Sequence, residues 1–217
     1  MIHIAIAATL LATPAAAQDS GRERADAMIA RANAADLFEN ISDPGDDIAV
    51  IRHLGSGMTC AFPDKIQGEL MISPDPGTPR GDDVGCDLKM PQITVTLYAT
   101  RANGATTASE LEGASAMLRS RWPDAKPWPP TGSADMLIPP DRRSPQVDQG
   151  TRWFMASENG KPLVTRLSVA TVGDWTITER ATAWDQSHAE VMEMFSSMVW
   201  YANLEEMAKA PAPPPAS

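Results

Sequence analysis

The pattern of apolar and polar positions changes period several times along the chain. Ala25, Met28, Ile29 and Ala32 recur at helical spacing behind the capping pair Ser20 and Glu23, which predicts a first helix fading near Asn40. Asp43-Pro44-Gly45-Asp46 then reads as a turn. From there the period shortens to two. Ile48, Val50 and Arg52 alternate with Ala49, Ile51 and His53, and Gly55-Ser56-Gly57 turns the chain into a return strand from Met58 to Phe62. Ile66, Gly68, Leu70 and Ile72 mark a third strand. Residues 73–85, rich in proline, glycine and acids, read as a loop. The clearest strand alternates Ile93, Val95, Leu97 and Ala99 with Thr94, Thr96, Tyr98 and Thr100.

A second helix is predicted from the capping pair Thr107 and Glu110, with Leu111, Ala114 and Leu118 as its buried stripe and Pro123 at its end. Two strands, Thr151 to Ser157 and Leu163 to Val172, flank Asn159-Gly160, a strong hairpin signal. Trp175 to Thr182 forms one more strand beyond Gly173-Asp174. A third helix opens with Ser187 and Glu190 and carries the apolar series Val191, Met194, Phe195, Met198 and Val199. Hairpin-linked strands with few helices imply an α+β fold: an antiparallel sheet of about six to seven strands with three helices packed on it.

The ends of the chain read differently. Ile4 to Leu11 is an apolar run too short to span a bilayer, broken by Pro14 and followed by Ala15-Ala16-Ala17. That is the layout of a signal peptide over residues 1–17, cleaved before Gln18, although Lys and Arg are missing from its start. The expected organisation is one domain over 18–207 and a disordered Ala/Pro-rich tail over 208–217. Export places the protein in the periplasm or outside the cell, with no membrane insertion after cleavage. In that setting the two cysteines, Cys60 and Cys86, are expected to form a disulfide worth roughly 3 kcal/mol.

Composition narrows the partners. The net charge is −10, and residues 1–17 contribute no charged side chain, so the domain carries the whole imbalance. Such a surface repels phosphate backbones and anionic lipid, which excludes nucleic acid as a natural partner.

The unit formed by the Glu158-Asn159-Gly160 hairpin, the strand Asp174-Trp175-Thr176-Ile177-Thr178 and the helix ending Met194-Phe195-Ser196-Ser197-Met198-Val199 resembles the end of PsbP-like domains. Arg52-His53, Ser56-Gly57-Met58-Thr59-Cys60 and Gly81-Asp82-Asp83-Val84-Gly85-Cys86 resemble segments of uncharacterised exported alphaproteobacterial proteins. The PsbP-like resemblance covers about the last third of the chain. It implies an α/β/α sandwich serving as a binding or docking scaffold, and it carries no catalytic residues across.

Four groups of residues are candidates for chemistry. A bond between Cys60 and Cys86 would bring Asp82, Asp83 and Asp87 beside the hairpin bearing His53 and Ser56. Carboxylates around glycines suit Ca²⁺, which takes about six to eight oxygens from flexible loops, although the spacing is not that of an EF-hand. A hydrolytic set of His53, Ser56 and Asp82 can be drawn, but Gly55-Ser56-Gly57 is not a nucleophile elbow. His188 follows Ser187 in the first turn of the last helix. Trp122 and Trp128 flank prolines in a segment, 122–145, that holds seven prolines. Such rings either grip an extended ligand or pin the loop to the domain. The leading expectation is a non-enzymatic envelope protein that binds another protein or a small ligand at the loop-bearing sheet edge. A Ca²⁺-binding module and a hydrolase with dispersed residues are the alternatives.

Overall fold

The computed structural model describes residues 21–129 and 147–209. The signal-peptide segment, the capping residue Ser20, most of the proline-rich loop and the tail lie outside the described residues.

Helix α1 spans Gly21–Arg31 and buries Ala25 and Ile29, as its spacing predicts. It is shorter than expected, because β1 (Phe38–Asn40) occupies what reads as its last turns. Strand β1 pairs with β2 (Ala49–His53), and β2 pairs with β3 (Thr59–Phe62), giving a separate three-stranded sheet. Arg24 fastens α1 to this sheet by donating to Asp64 at 2.9 Å and to the Phe62 carbonyl at 2.8 Å.

Among the described residues, the main sheet has seven strands. Beyond β4 (Gln67–Ile72) come β5 (Asp83–Met90) and β6 (Ile93–Arg101), then helix α2 (Thr107–Arg121) and the short β7 (Lys126–Pro127). The chain continues through β8 (Asp148–Glu158), β9 (Lys161–Val172) and β10 (Trp175–Ala183) to helix α3 (Ala189–Lys209). The order across the sheet is β4-β5-β6-β10-β9-β8-β7, antiparallel throughout. The α+β expectation holds, but the strands divide between two sheets instead of one. Strand β5 begins inside the loop expected over 73–85, because its acids and Gly85 mask the alternation of Val84, Cys86 and Leu88.

Both faces of the main sheet carry elements. On one, Val84, Cys86, Leu88, Val95, Leu97, Ala99, Ile177 and Ala181 form the core with Met192, Trp200 and Leu204 of α3. The three-stranded sheet lies on this side too. The Cys60–Cys86 disulfide ties its β3 to β5, and the Thr59 amide donates to Asn203 of α3 at 2.8 Å. On the other face, Leu111, Leu118 and Trp122 from α2 and its end pack on Phe154, Leu163, Leu167 and Val169. Helix α2 is capped by a reciprocal Thr106–Ser109 pair, one position earlier than the Thr107–Glu110 pair expected. Thr107 is instead buried, donating to the Asp148 carbonyl at 3.1 Å.

The candidate ligand groove

Helix α2 covers only the β8–β9 half of its face, because its apolar stripe is narrow and matches those two strands. Among the described residues, no helix lies over the β5–β6 half or the near edge of β10. Alternation sends Asp83, Gly85 and Asp87 of β5 to this side, with Thr96, Tyr98 and Thr100 of β6. Thr178 and Arg180 of β10 join them, opposite Tyr98 and Thr96. A groove of about 460 Å³ runs between this strip and α2, floored by Tyr98, Thr178 and Leu167 and walled by Ala114, Met117 and Leu118. Gly85 lies directly across from Tyr98, and a Cβ there would fall 3.0 Å from the ring. The missing side chain lets the ring lie across the neighbouring strand.

The charges in the groove are sorted by end. Helix α2 starts beside the end of β6 and runs back along it. Asp83 and Glu110 therefore sit at one end, and Arg121 and Arg180 at the other. Asp83 accepts a hydrogen bond from Thr100 at 3.1 Å. Arg121 is 3.5 Å from Glu158 and stacks over Trp122. Arg180 is different. It is half-buried in mid-sheet, and its guanidinium has no hydrogen bond or ion pair among the described residues. Burial raises the Tyr98 hydroxyl pKa, and the Arg180 charge pulls against that rise.

The residues singled out in the sequence lie elsewhere or are split. His53 and Ser56 are buried, at 2% and 3% exposure. His53 Nδ1 lies 2.9 Å from Ser56 Oγ and accepts from the Ser56 amide at 3.1 Å, while Ser56 Oγ accepts from the Met58 amide. These bonds close the β2–β3 turn. The ring is wedged between Phe38 and Trp175, each 5.3 Å away. Burial, seconded by the Arg101 charge, depresses its pKa to about 4. A recess of about 270 Å³ touches His53, but Ser56, 3% exposed, does not line it. His188 lies in an exposed 3₁₀ turn capped by Asp185, not Ser187.

Asp82, Asp83 and Asp87 do not converge. Asp83 and Asp87 stand on strand β5, engaged by Thr100 and Thr96. Asp82 binds Arg101, whose side chain lies on the opposite face over Trp175. Among the described residues, no group of three or more His, Cys, Asp or Glu side chains is arranged to hold a metal ion. Trp122 is a core residue at 4% exposure, packed edge-on to Trp184, and presents no face to a ligand. Trp128 is half-buried against the α3-side core, its amide donating to the Trp153 carbonyl at 2.9 Å.

Sequence reading missed Tyr98, Arg121 and Arg180. The alternation of β6 and β10 marks Tyr98 and Arg180 as facing away from the main core. That the two strands are neighbours follows only from the tertiary pairing.

Beneath α3 lies a second polar feature. Arg166 donates to Glu179 at 3.0 Å and to Ser196 Oγ at 2.9 Å, all three buried. Burial raises the Glu179 carboxyl to about 7, against the opposing pull of Arg166.

No family model matches the chain. No curated protein matches it either. Among solved structures, a Pseudomonas aeruginosa protein of unknown function aligns over 78% of this chain and 99% of its own, with 11% identity and a TM-score of 0.34. A likeness at that level carries no argument about this chain. The disulfide points to an oxidising compartment outside the cytoplasm. Among the described residues, no helix is long and apolar enough to cross a membrane.

Proposed function

We propose that the protein is a non-enzymatic binding protein of the bacterial envelope that holds a small ligand in the groove between α2 and the β5–β6 half of the main sheet. One observation carries this reading. Arg180 stands in mid-sheet at the groove floor with no partner among the described residues, beside an apolar wall. A half-buried guanidinium that leaves its hydrogen-bonding capacity unused forgoes charge-assisted bonds that an incoming ligand would supply. Concave shape, an apolar wall and a few convergent polar groups are the general features of ligand sites. The site thus moves from the loop-bearing edge to the opposite half of the sheet. The PsbP-like resemblance, with its scaffold role, agrees with a binding function. The signal-peptide pattern and the disulfide support an envelope location, the periplasm being the proposed one.

The test is an amide NMR titration of the protein with a small-molecule extract of bacterial envelopes. Tyr98, Thr178 and Arg180 signals are expected to shift, and Ala114→Trp, which fills the groove, should abolish the shifts. Perturbations confined to other surfaces, or none at all, would reject the reading.

A further inference from the structure

The groove has two charged ends and an apolar middle, and that layout specifies a ligand class. Resting on the binding reading above, we propose that it takes a short, extended peptide of about four residues with free termini. Its ammonium lies at Asp83 and Glu110, and its carboxylate at Arg180 and Arg121.

The dimensions are set by the elements. In register, Asp83 faces Thr100 and Arg180 faces Thr96, so four strand residues separate the two ends of the floor. That is about 13 Å at a strand's rise. Along α2, Glu110 and Arg121 are eleven residues apart, or about 16 Å at a helix's rise. A four-residue chain in extended form spans roughly 13–14 Å. Shorter zwitterions such as a single amino acid would reach only one end.

The chemistry of each end fits. A carboxylate accepts paired hydrogen bonds from a guanidinium, and Arg180 has that capacity uncommitted. The Glu110 carboxylate has no hydrogen bond or ion pair among the described residues and lines the same groove as Asp83, two acceptors suited to an ammonium group. Between them, Ala114, Met117 and Leu118 offer an apolar wall to small side chains, and Met117 is 71% exposed at the rim. The same polarity disfavours simple fatty acids, whose tails would end against two carboxylates. It equally disfavours polyamines, which would end against two guanidinium groups.

The experiment is calorimetric titration with tetra-alanine in four forms: free, N-acetylated, C-amidated and doubly blocked. Free tetra-alanine is expected to bind, and each single block should weaken binding at least tenfold. In Arg180→Gln the loss on amidation should vanish while the loss on acetylation remains, and Asp83→Asn with Glu110→Gln should show the converse. Melting curves of the variants verify folding. Equal binding of all four forms overturns the proposal, as does block sensitivity that no variant removes. If tetra-alanine fails while an envelope extract still shifts Tyr98 and Arg180, the peptide class is wrong and the groove stands. If neither acts on the groove, both readings fall.

Discussion

His53 and Glu179 are buried titratable groups whose effects on stability oppose one another. His53 carries a folded pKa of about 4 against an ordinary 6.5, so between those values the unfolded chain binds the extra proton, and stability falls as pH falls. Glu179 is raised from 4.5 to about 7, so in that window the folded chain holds the extra proton, and stability falls as pH rises. The two slopes overlap and offset one another across mildly acidic pH. Glu179→Gln should expose the His53 slope. Its loss of melting temperature on acidification where the two windows overlap should exceed that of the unaltered protein. Parallel losses in the two proteins would show that Glu179 is not protonated there. Gly85 supplies a second residue-scale case, since a Cβ would fall 2.4 Å from the Leu97 carbonyl oxygen. Gly85→Ala should cost roughly 2 kcal/mol in urea unfolding, as overpacking against backbone does.

At the scale of elements, α3 departs most from its sequence pattern. Val191, Met194 and Met198, expected to be buried, face outward, Met198 at 60% exposure. The buried side holds Met192, Trp200 and Leu204 together with Glu193, Ser196 and Asn203. The reason lies under the helix. Arg166 and the Thr59 amide need partners in the core, and Ser196 and Asn203 supply them. A residue-type stripe cannot register that demand. Met198→Gln should therefore leave stability within about 0.5 kcal/mol of the unaltered protein. Met192→Ala should cost about 2–5 kcal/mol by opening a cavity. Chemical denaturation of the two variants checks the pair, and the reverse ranking would mean that the helix is turned about its axis.

At the scale of the whole molecule, the two sheets of the described residues are joined by one disulfide and a seam of polar and aromatic contacts. His53 meets Trp175, Arg101 lies 4.2 Å over that ring, and Asp82 binds Arg101. Cys60 and Cys86 are 26 residues apart, a loop whose closure is worth about 3 kcal/mol. Reduction should lower the melting temperature by roughly 6–12 °C for a domain of this size. Added Ca²⁺ should leave both transitions where they are, because Asp82 turns from Asp83 and Asp87 to the opposite face. A calcium-dependent rise, lost in Asp82→Asn/Asp83→Asn, would instead make the acidic segment a metal site.

Local physics made much of the architecture legible in the sequence. Period-two alternation identified β2 and β6, because a strand with one core face repeats every second residue. Asn159-Gly160 located the β8–β9 hairpin, where both residues adopt positive φ, at 52° and 76°. The cysteine pair was legible because disulfides go with oxidising compartments. What depended on contacts between distant segments was not legible. Strand β5 was hidden by its own acids. The division into two sheets depends on which strands meet, and the inward face of α3 on groups it must satisfy. The groove exists because a narrow α2 packs on β8 and β9 and, among the described residues, no helix covers β5 and β6. Tyr98 and Arg180 join it because β6 and β10 pair across more than 70 intervening residues (Arg101 to Trp175), a relation that only the folded chain creates.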